Sequence, residues 1–145
     1  TYNLGICYQN GKGVEKNPEE AVRLFQIASD GGHLKATYSL GVCYKNGEGV
    51  EKNPEEAVRL FQIASDGGYL EATYNLGLCY YKGEEVEKNP EEAVRLFQIA
   101  SNGGNLEATY NLGLCYKNGE GVEKNPKEAI RLFQIASNGS DLGAT

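Results

Sequence analysis

The sequence contains no methionine, a single histidine and no long run of apolar residues. Without about 18 or more consecutive apolar residues, no segment is suited to span a membrane. The beginning of the chain also lacks the basic region and the apolar run that make up a secretory signal peptide. We therefore expect no membrane contact from this segment. Because it lacks methionine and starts inside a periodic unit, we interpret it as part of a longer array.

Positive charge is also scarce, since 14 Lys and Arg residues stand against 20 Asp and Glu residues and the formal net charge is −6. Proteins that bind phosphate backbones need clustered Lys and Arg side chains. The composition therefore argues against nucleic acid as a partner. A helical repeat that reads RNA bases is kept only as an alternative.

What the sequence does contain is a strict repeat of 36 residues, which begins at Thr1 and returns at Thr37, Thr73 and Thr109. A period of this length is typical of solenoids, in which each unit buries its apolar face against its neighbours. We predict a single all-α repeat domain over residues 1–145. Its units are 1–36, 37–72, 73–108 and 109–144.

Each unit contains the start signal of a helix, as the second unit illustrates. Asn53 is suited to the N-cap position, Pro54 to the first helical position, and Glu56 to the third position of a capping box. Apolar residues then recur with helical spacing until Gly67 and Gly68. The pattern predicts a helix from Pro54 to the glycine pair.

A further helix is predicted from about Leu34 to Asn46, and Gly47 is suited to end it in a left-handed conformation. Steps of about 100° per residue place most of the small and apolar side chains of this segment on one face, which we predict to be the core. Gly41 lies within that face, where it indicates close approach of a neighbouring helix. Each unit is thus predicted to be a helical hairpin that is stabilised mainly by stacking.

A set of spaced residues recurs in the units with few changes and carries a resemblance to a known family. In the second unit they are Ala36, Tyr38, Leu40, Gly41, Tyr44, Gly47, Gly49, Val50, Glu56, Ala57, Ala64 and Gly67. This pattern resembles the Sel1-like repeat, a relative of the tetratricopeptide repeat. The resemblance implies a right-handed α-solenoid of stacked helical hairpins, whose concave face is lined mainly by the first helix of each unit. It also implies a role as a scaffold or adaptor in protein–protein interaction.

The third unit departs from this pattern at Glu85, because the other units have Gly13, Gly49 and Gly121 at the equivalent position. If this position requires a positive φ angle, the third loop must differ locally. Cysteine is a second departure. Secreted members of the family often carry two cysteines per unit that can pair, whereas this chain has one per unit.

The four cysteines, Cys7, Cys43, Cys79 and Cys115, occupy equivalent positions in successive units. Stacked units place equivalent residues about 8–10 Å apart or more, whereas bridged cysteines need Cα atoms within about 7 Å. We therefore predict no metal site and no disulfide framework. The cysteines are interpreted as small buried residues that stay reduced, which favours a cytoplasmic location over the endoplasmic reticulum or secretion.

Catalytic chemistry finds little support in the sequence. His33 is the only histidine, and Cys43 lies ten residues along the same predicted helix, about 15 Å away. These two residues therefore cannot form a catalytic pair, and His33 is interpreted as a solvent-facing residue at a helix start. We predict no catalytic residues and no cofactor. A hydrolase-like activity, proposed for some relatives, is retained only as an alternative.

The remaining candidate site is the exposed stripe of the first helices, on which the differences between the first two units concentrate. Tyrosine and aliphatic side chains beside amides and hydroxyls are suited to binding an extended peptide. A solvent face that simply tolerates substitution is the alternative interpretation. We predict that the stripe binds a protein or peptide partner, while the oligomeric state is not indicated. The stripe residues are Tyr2, Asn3, Ile6, Tyr38, Ser39, Val42, Tyr74, Asn75, Leu78, Tyr110, Asn111 and Leu114.

Overall fold

The computed structural model describes the backbone of residues 1–84 and 86–144, and the side chains of these residues up to Gly139. All regular structure in this part of the chain is helical, as predicted. The eight helices of the described ranges are α1 (Tyr2–Asn10), α2 (Pro18–Asp30), α3 (Leu34–Asn46), α4 (Pro54–Asp66), α5 (Leu70–Lys82), α6 (Pro90–Asn102), α7 (Leu106–Asn118) and α8 (Pro126–Ala144). In the part of the chain that the structure describes, no helix combines the length and the apolar character needed to cross a membrane.

The helices form two compact units, unit 1 with residues 1–69 and unit 2 with residues 70–145. Unit 1 contains α1 to α4, and unit 2 contains α5 to α8. Within each unit, every helix packs against the next one in the chain. The pairs α1–α2, α3–α4, α5–α6 and α7–α8 are helical hairpins, and we call their members the first and the second helix of each repeat.

The second helices begin as the sequence predicts, but the capping box is only half formed. In α4, the side chain of Asn53 accepts a hydrogen bond from the backbone N–H of Glu56 at 3.2 Å, and Pro54 occupies the first turn. The backbone N–H of Asn53 donates instead to the carbonyl of Tyr44 at 2.9 Å. The carboxylate of Glu56 therefore pairs with Arg59 at 2.6 Å, and the predicted return bond of the capping box is wrong.

The first helices also follow the prediction, because α3 runs from Leu34 to Asn46 and Gly47 ends it with a φ angle of 71°. The predicted close approach at Gly41 is confirmed, since a Cβ atom there would lie 2.8 Å from Cε1 of Phe61 in the second helix. Phe61 is fully buried. The same contact joins Gly5 to Phe25, Gly77 to Phe97 and Gly113 to Phe133.

A partly buried hydrogen bond joins successive hairpins within each unit. The hydroxyls of Ser29 in α2 and Thr37 in α3 are 2.6 Å apart, and the hydroxyl of Thr37 also donates to the carbonyl of His33. In unit 2, Ser101 and Thr109 make the equivalent bond at 2.5 Å. Because the threonines are almost completely buried, these bonds satisfy polar groups that would otherwise be costly to bury.

The loop between the first and second helices approaches the preceding hairpin at one glycine. Gly49 has a φ angle of 75°, and a Cβ atom there would lie 2.6 Å from the carbonyl carbon of Pro18. Gly13 and Gly121 share the positive φ angle, at 77° and 74°. The expectation that this position requires a positive φ angle is therefore confirmed for the glycines, while Glu85 lies outside the described residues.

This geometry predicts different costs for two equivalent substitutions. An alanine in the left-handed region costs about 1–2 kcal/mol, and this applies to Gly13→Ala, where no described heavy atom lies within 4 Å of the new Cβ. Gly49→Ala adds the overlap with Pro18, which costs about 1–3 kcal/mol more. Urea unfolding followed by circular dichroism measures both losses. Equal losses in the two variants would contradict the packing of this loop on α2.

Candidate functional site

The stripe tyrosines pack against phenylalanine rings of the second helices rather than extending freely into solvent. Each one packs in a tilted arrangement on the phenylalanine of the second helix in its own hairpin. The ring centroids lie 5.7 Å apart for Tyr2 and Phe25, 5.7 Å for Tyr38 and Phe61, 6.0 Å for Tyr74 and Phe97, and 5.4 Å for Tyr110 and Phe133. Tyrosine and phenylalanine rings at these distances attract one another. The packing of the second helix therefore fixes where each tyrosine of the first helix lies.

In unit 1, the tyrosine at the start of the stripe is covered by cationic and aromatic neighbours. The ring of His33 stacks on Tyr2 with the centroids 4.7 Å apart, and Nζ of Lys35 lies 5.8 Å from the centroid of Tyr2. Nδ1 of His33 accepts a hydrogen bond from the backbone N–H of Ala36 at 3.1 Å. His33 is exposed as predicted, but it also caps α3, which the sequence analysis did not anticipate.

In unit 2, the equivalent tyrosine is held by an amide from the next hairpin. Nδ2 of Asn111 donates to the hydroxyl of Tyr74 at 2.9 Å, so this stripe residue links α7 to α5. Burial raises the pKa of Tyr74, and the nearby carboxylate of Glu107 raises it further. Nδ2 of Asn75 donates to the carbonyl of Glu71 within the same helix, at 2.8 Å. The stripe amides of unit 2 thus take part in contacts within the protein.

A groove of about 720 Å³ runs beside these residues in unit 2. Tyr110 is its most exposed large apolar side chain, with 51% of its surface accessible. The groove is lined by Tyr74, Leu106, Glu107, Tyr110, Asn111, Phe133, Ala136 and Ser137. Only the two tyrosines and Asn111 belong to the predicted stripe. Glu107 lies one helical turn before Tyr110 and Asn111, so it shares their face of α7. This spacing could have identified Glu107 as a further residue of the site from the sequence.

The remaining stripe residues are unevenly exposed. The aliphatic members Ile6, Val42, Leu78 and Leu114 are partly buried. Ile6 and Leu78 pack against the buried core clusters of their units. Ser39 is partly buried, whereas Asn3 is exposed. Of the twelve stripe residues, only Asn3 and Tyr110 are exposed, and the other ten are partly buried.

The two units carry opposite charge at one position beside the stripe. The second residue of each 13-residue first helix is Lys35 in α3, Glu71 in α5 and Glu107 in α7. All three side chains are exposed. Together with His33, Lys35 makes this side of unit 1 neutral to basic, whereas the two glutamates make the same side of unit 2 acidic. The repeats are thus alike in fold and different in electrostatics.

The cysteines are buried in three of the four repeats. Cys43, Cys79 and Cys115 are at most 2% exposed, whereas Cys7 is only partly buried. The interpretation of all four as buried is therefore wrong for Cys7, because α1 lies at the edge of unit 1 and buries only Gly5. Burial, with a smaller effect of a nearby glutamate, raises the pKa of the Cys43 and Cys115 thiols to about 11. Among the described side chains, no group of three or more His, Cys, Asp or Glu residues is arranged to hold a metal ion.

These environments predict a large difference in thiol reactivity. The thiolate is the reactive form, and a pKa of about 11 leaves about 100-fold less thiolate at pH 8 than the ordinary thiol pKa. In the native protein, 5,5′-dithiobis(2-nitrobenzoate) should react rapidly with Cys7 and slowly with Cys43 and Cys115. The slow phases should accelerate as the pH rises towards 11, provided the helical content is unchanged.

The variant Cys7→Ser tests whether the fast phase belongs to Cys7. We expect the fast phase to be absent in this variant. A fast phase that persists in this variant would contradict the assignment. Denaturation of the wild-type chain in the absence of reductant should expose four free thiols. A smaller number would show that some of the cysteines are oxidised.

Helical hairpins that repeat with a fixed period and pack on their neighbours define the tetratricopeptide-like class of α-solenoid. The family model of the Sel1 repeat matches four segments of the chain, at residues 1–33, 34–69, 70–105 and 106–141. The chain belongs to the Sel1 repeat family. The last three matches begin at the first residues of α3, α5 and α7, three residues earlier than the threonines that open the units used above. Sel1 repeats are typically protein–protein interaction modules, and their scaffold is generally non-enzymatic.

Solved structures of related proteins have the same fold. A Sel1 repeat protein from Oxalobacter formigenes is 30% identical, with a TM-score of 0.92 over 95% of this chain and 56% of its own. The protective antigen c5321 of uropathogenic Escherichia coli, which has the SLR fold, is also 30% identical, with a TM-score of 0.92 over 94% of this chain and 29% of its own. This chain thus spans about half or less of the length of these two proteins. Helicobacter pylori cysteine rich protein B is 21% identical, with a TM-score of 0.66 over 89% of this chain and 92% of its own.

Proposed function

We propose that this chain is a non-enzymatic scaffold that binds an extended segment of a partner protein along the stripe of its first helices. The observation that carries the proposal is the row of tyrosines, each positioned on a buried or partly buried phenylalanine. Membership of the Sel1 repeat family supports protein as the class of partner.

The packing of the tyrosines favours binding because it lowers the entropic cost of immobilising their side chains in a complex. A tyrosine loses few rotatable bonds when it is immobilised, and a ring already held against a phenylalanine loses fewer still. Tyr110 combines this support with an exposed fraction of 51%. An aromatic side chain that lines a groove is the kind of residue that often dominates binding energies. Tyr110 is therefore the principal anchor that we assign to unit 2.

The charges beside the stripe indicate what the partner segment carries. Glu107 lies in the groove of unit 2, and Glu71 occupies the equivalent position on α5. A basic side chain of the partner placed between Glu107 and Tyr110 gains from the carboxylate and from the face of the ring. The segment that binds unit 1 instead meets Lys35 and His33, which disfavour a second basic group at that place. Taken separately, the stripe of unit 2 favours a basic group in its partner segment, whereas the stripe of unit 1 does not.

The buried thiols support a reducing compartment, such as the cytoplasm. Cys43 and Cys115 are free thiols, and their raised pKa values disfavour oxidation through the thiolate. This part of the proposal concerns location only and is independent of the identity of the partner.

The stripe is tested with a variant that truncates two of its side chains in unit 2 and keeps the hydrogen bond from Asn111 to Tyr74. Asn111 is left intact because it holds Tyr74, and the test variant is Asn75→Ala with Tyr110→Ala. The matched control is Glu91→Ala with Lys127→Ala, two exposed residues in the first turns of second helices. The wild-type chain captures partners, which are identified by mass spectrometry and then measured individually by titration calorimetry.

We expect affinity for a true stripe partner to fall about tenfold or more in the test variant and to be unchanged in the control. Circular dichroism should show the same helical content in all three proteins. Equal affinities for the wild type and the test variant would exclude the stripe of unit 2 as the binding surface.

A further inference from the structure

Unit 1 contains a second concave feature, a pocket of about 550 Å³ where the ends of α1 and α3 meet the start of α2. Its buried floor includes Ala21 and Cys43, which are 1% and 2% exposed. Gln9, Lys16 and Glu48 also line it and are more accessible. The stripe residues do not line this pocket, so it is separate from the surface of the proposed function.

The equivalent place in unit 2 is built from residues 72 positions further along the chain. The alanine, the cysteine and the glutamate recur there as Ala93, Cys115 and Glu120. Gln9, in contrast, is replaced by Tyr81. The two units therefore share most of these lining residues and differ at two of them, Gln9 against Tyr81 and Asn10 against Lys82.

Tyr81 is bound at this place by contacts of both its ring and its hydroxyl. The hydroxyl donates to Oε1 of Glu120 at 2.9 Å, and the ring centroid lies 6.1 Å from that of Phe97. The side chain is partly buried against the core of unit 2. Burial and Glu120 raise the pKa of Tyr81 to about 12, so the phenol remains a hydrogen-bond donor at neutral pH. The same fold thus holds a tyrosine side chain at the place that is open in unit 1.

We propose that the pocket of unit 1 binds a tyrosine side chain presented by a partner polypeptide. The phenol ring lies over Ala21 and Cys43, beside the shorter Gln9, and its hydroxyl donates a hydrogen bond to the carboxylate of Glu48. A hydrogen bond to a charged acceptor is stronger than one between neutral groups, so the pocket distinguishes tyrosine from phenylalanine. Its volume of about 550 Å³ lies in the range of ligand sites.

The surroundings of the pocket suit a polypeptide. Lys16 and Glu48 are exposed, so the peptide backbone on both sides of the tyrosine stays in solvent. Gly47 and Gly49 line the pocket without side chains, and their backbone N–H groups report on any occupant. This proposal rests on residues outside the stripe, and neither proposal depends on the other.

The test is a titration of the isotope-labelled chain by two-dimensional NMR. The probes are the peptide acetyl-Ala-Tyr-Ala-amide, its phenylalanine counterpart, and p-cresol. We expect the tyrosine peptide to produce saturable shifts of the Gly47 and Gly49 amide signals. The phenylalanine peptide should bind about fivefold or more weakly, because it cannot donate to Glu48. The variant Glu48→Gln should reduce this difference between the two peptides.

Two reciprocal variants test the role of the residue at positions 9 and 81. One variant places a tyrosine in the pocket of unit 1, and the other removes the tyrosine from the equivalent place in unit 2. Gln9→Tyr reproduces unit 2 and should abolish the shifts in unit 1, whereas Gln9→Asn leaves the pocket open and should preserve them. Tyr81→Gln should create a second site, seen as new shifts of Gly119 and Gly121. The melting temperature and the helical content confirm that each variant is folded.

Several results would overturn the proposal. One is the absence of saturable shifts with the tyrosine peptide in the wild-type chain. Another is unchanged binding in folded Gln9→Tyr, which would place the peptide elsewhere. A third is binding of p-cresol without binding of the tyrosine peptide, which would make the pocket a site for a small phenol. If Gln9→Tyr does not fold, the absence of a second site in Tyr81→Gln decides against the proposal.

Discussion

The contact between a glycine of the first helix and a phenylalanine of the second is the constraint on which the rest of each hairpin depends. At Gly41, a single added carbon atom would lie 2.8 Å from the ring of Phe61. The glycine costs helix stability, about 1 kcal/mol relative to alanine, but it lets a large ring lie directly against the helix backbone. Phe25, Phe61 and Phe97 are completely buried as a result. Since the contact recurs in all four hairpins, it sets the distance between the two helices of each hairpin.

The candidate binding surface follows from this packing. A phenylalanine under the first helix provides the ring on which the stripe tyrosine of the same helix lies, as Tyr38 lies on Phe61. Residues beside the tyrosines then make different contacts with them in the two units. Tyr2 meets His33 in unit 1, whereas Tyr74 is held by Asn111 in unit 2. Each hairpin thus presents a tyrosine on its first helix, and the residues beside that tyrosine differ between the two units.

Features that depend on a few neighbouring residues were predictable from the sequence. The cap at Asn53, the end of α3 at Gly47 and the close approach at Gly41 each follow from residue type and local spacing. Features that join different repeats were not predictable, because the period alone does not say which side chains meet. The hydrogen bond from Tyr81 to Glu120 joins residues 39 positions apart in the sequence. Its relevance to the pocket of unit 1 becomes clear only from the comparison of Tyr81 with Gln9, the equivalent residue that lines this pocket. The exposure of Cys7 likewise depends on the position of α1 at the edge of unit 1 rather than on its local sequence.

The central claim is that a partner protein binds the stripe of the first helices. Hydrogen–deuterium exchange, measured on the chain alone and on its complex with a captured partner, tests this claim most directly because it reports on every helix at once. We expect slower exchange in the first helices, with α7 among the most protected, and little change in α2, α4 and α6. Protection confined to the second helices, with α1, α3, α5 and α7 unaffected, would contradict it.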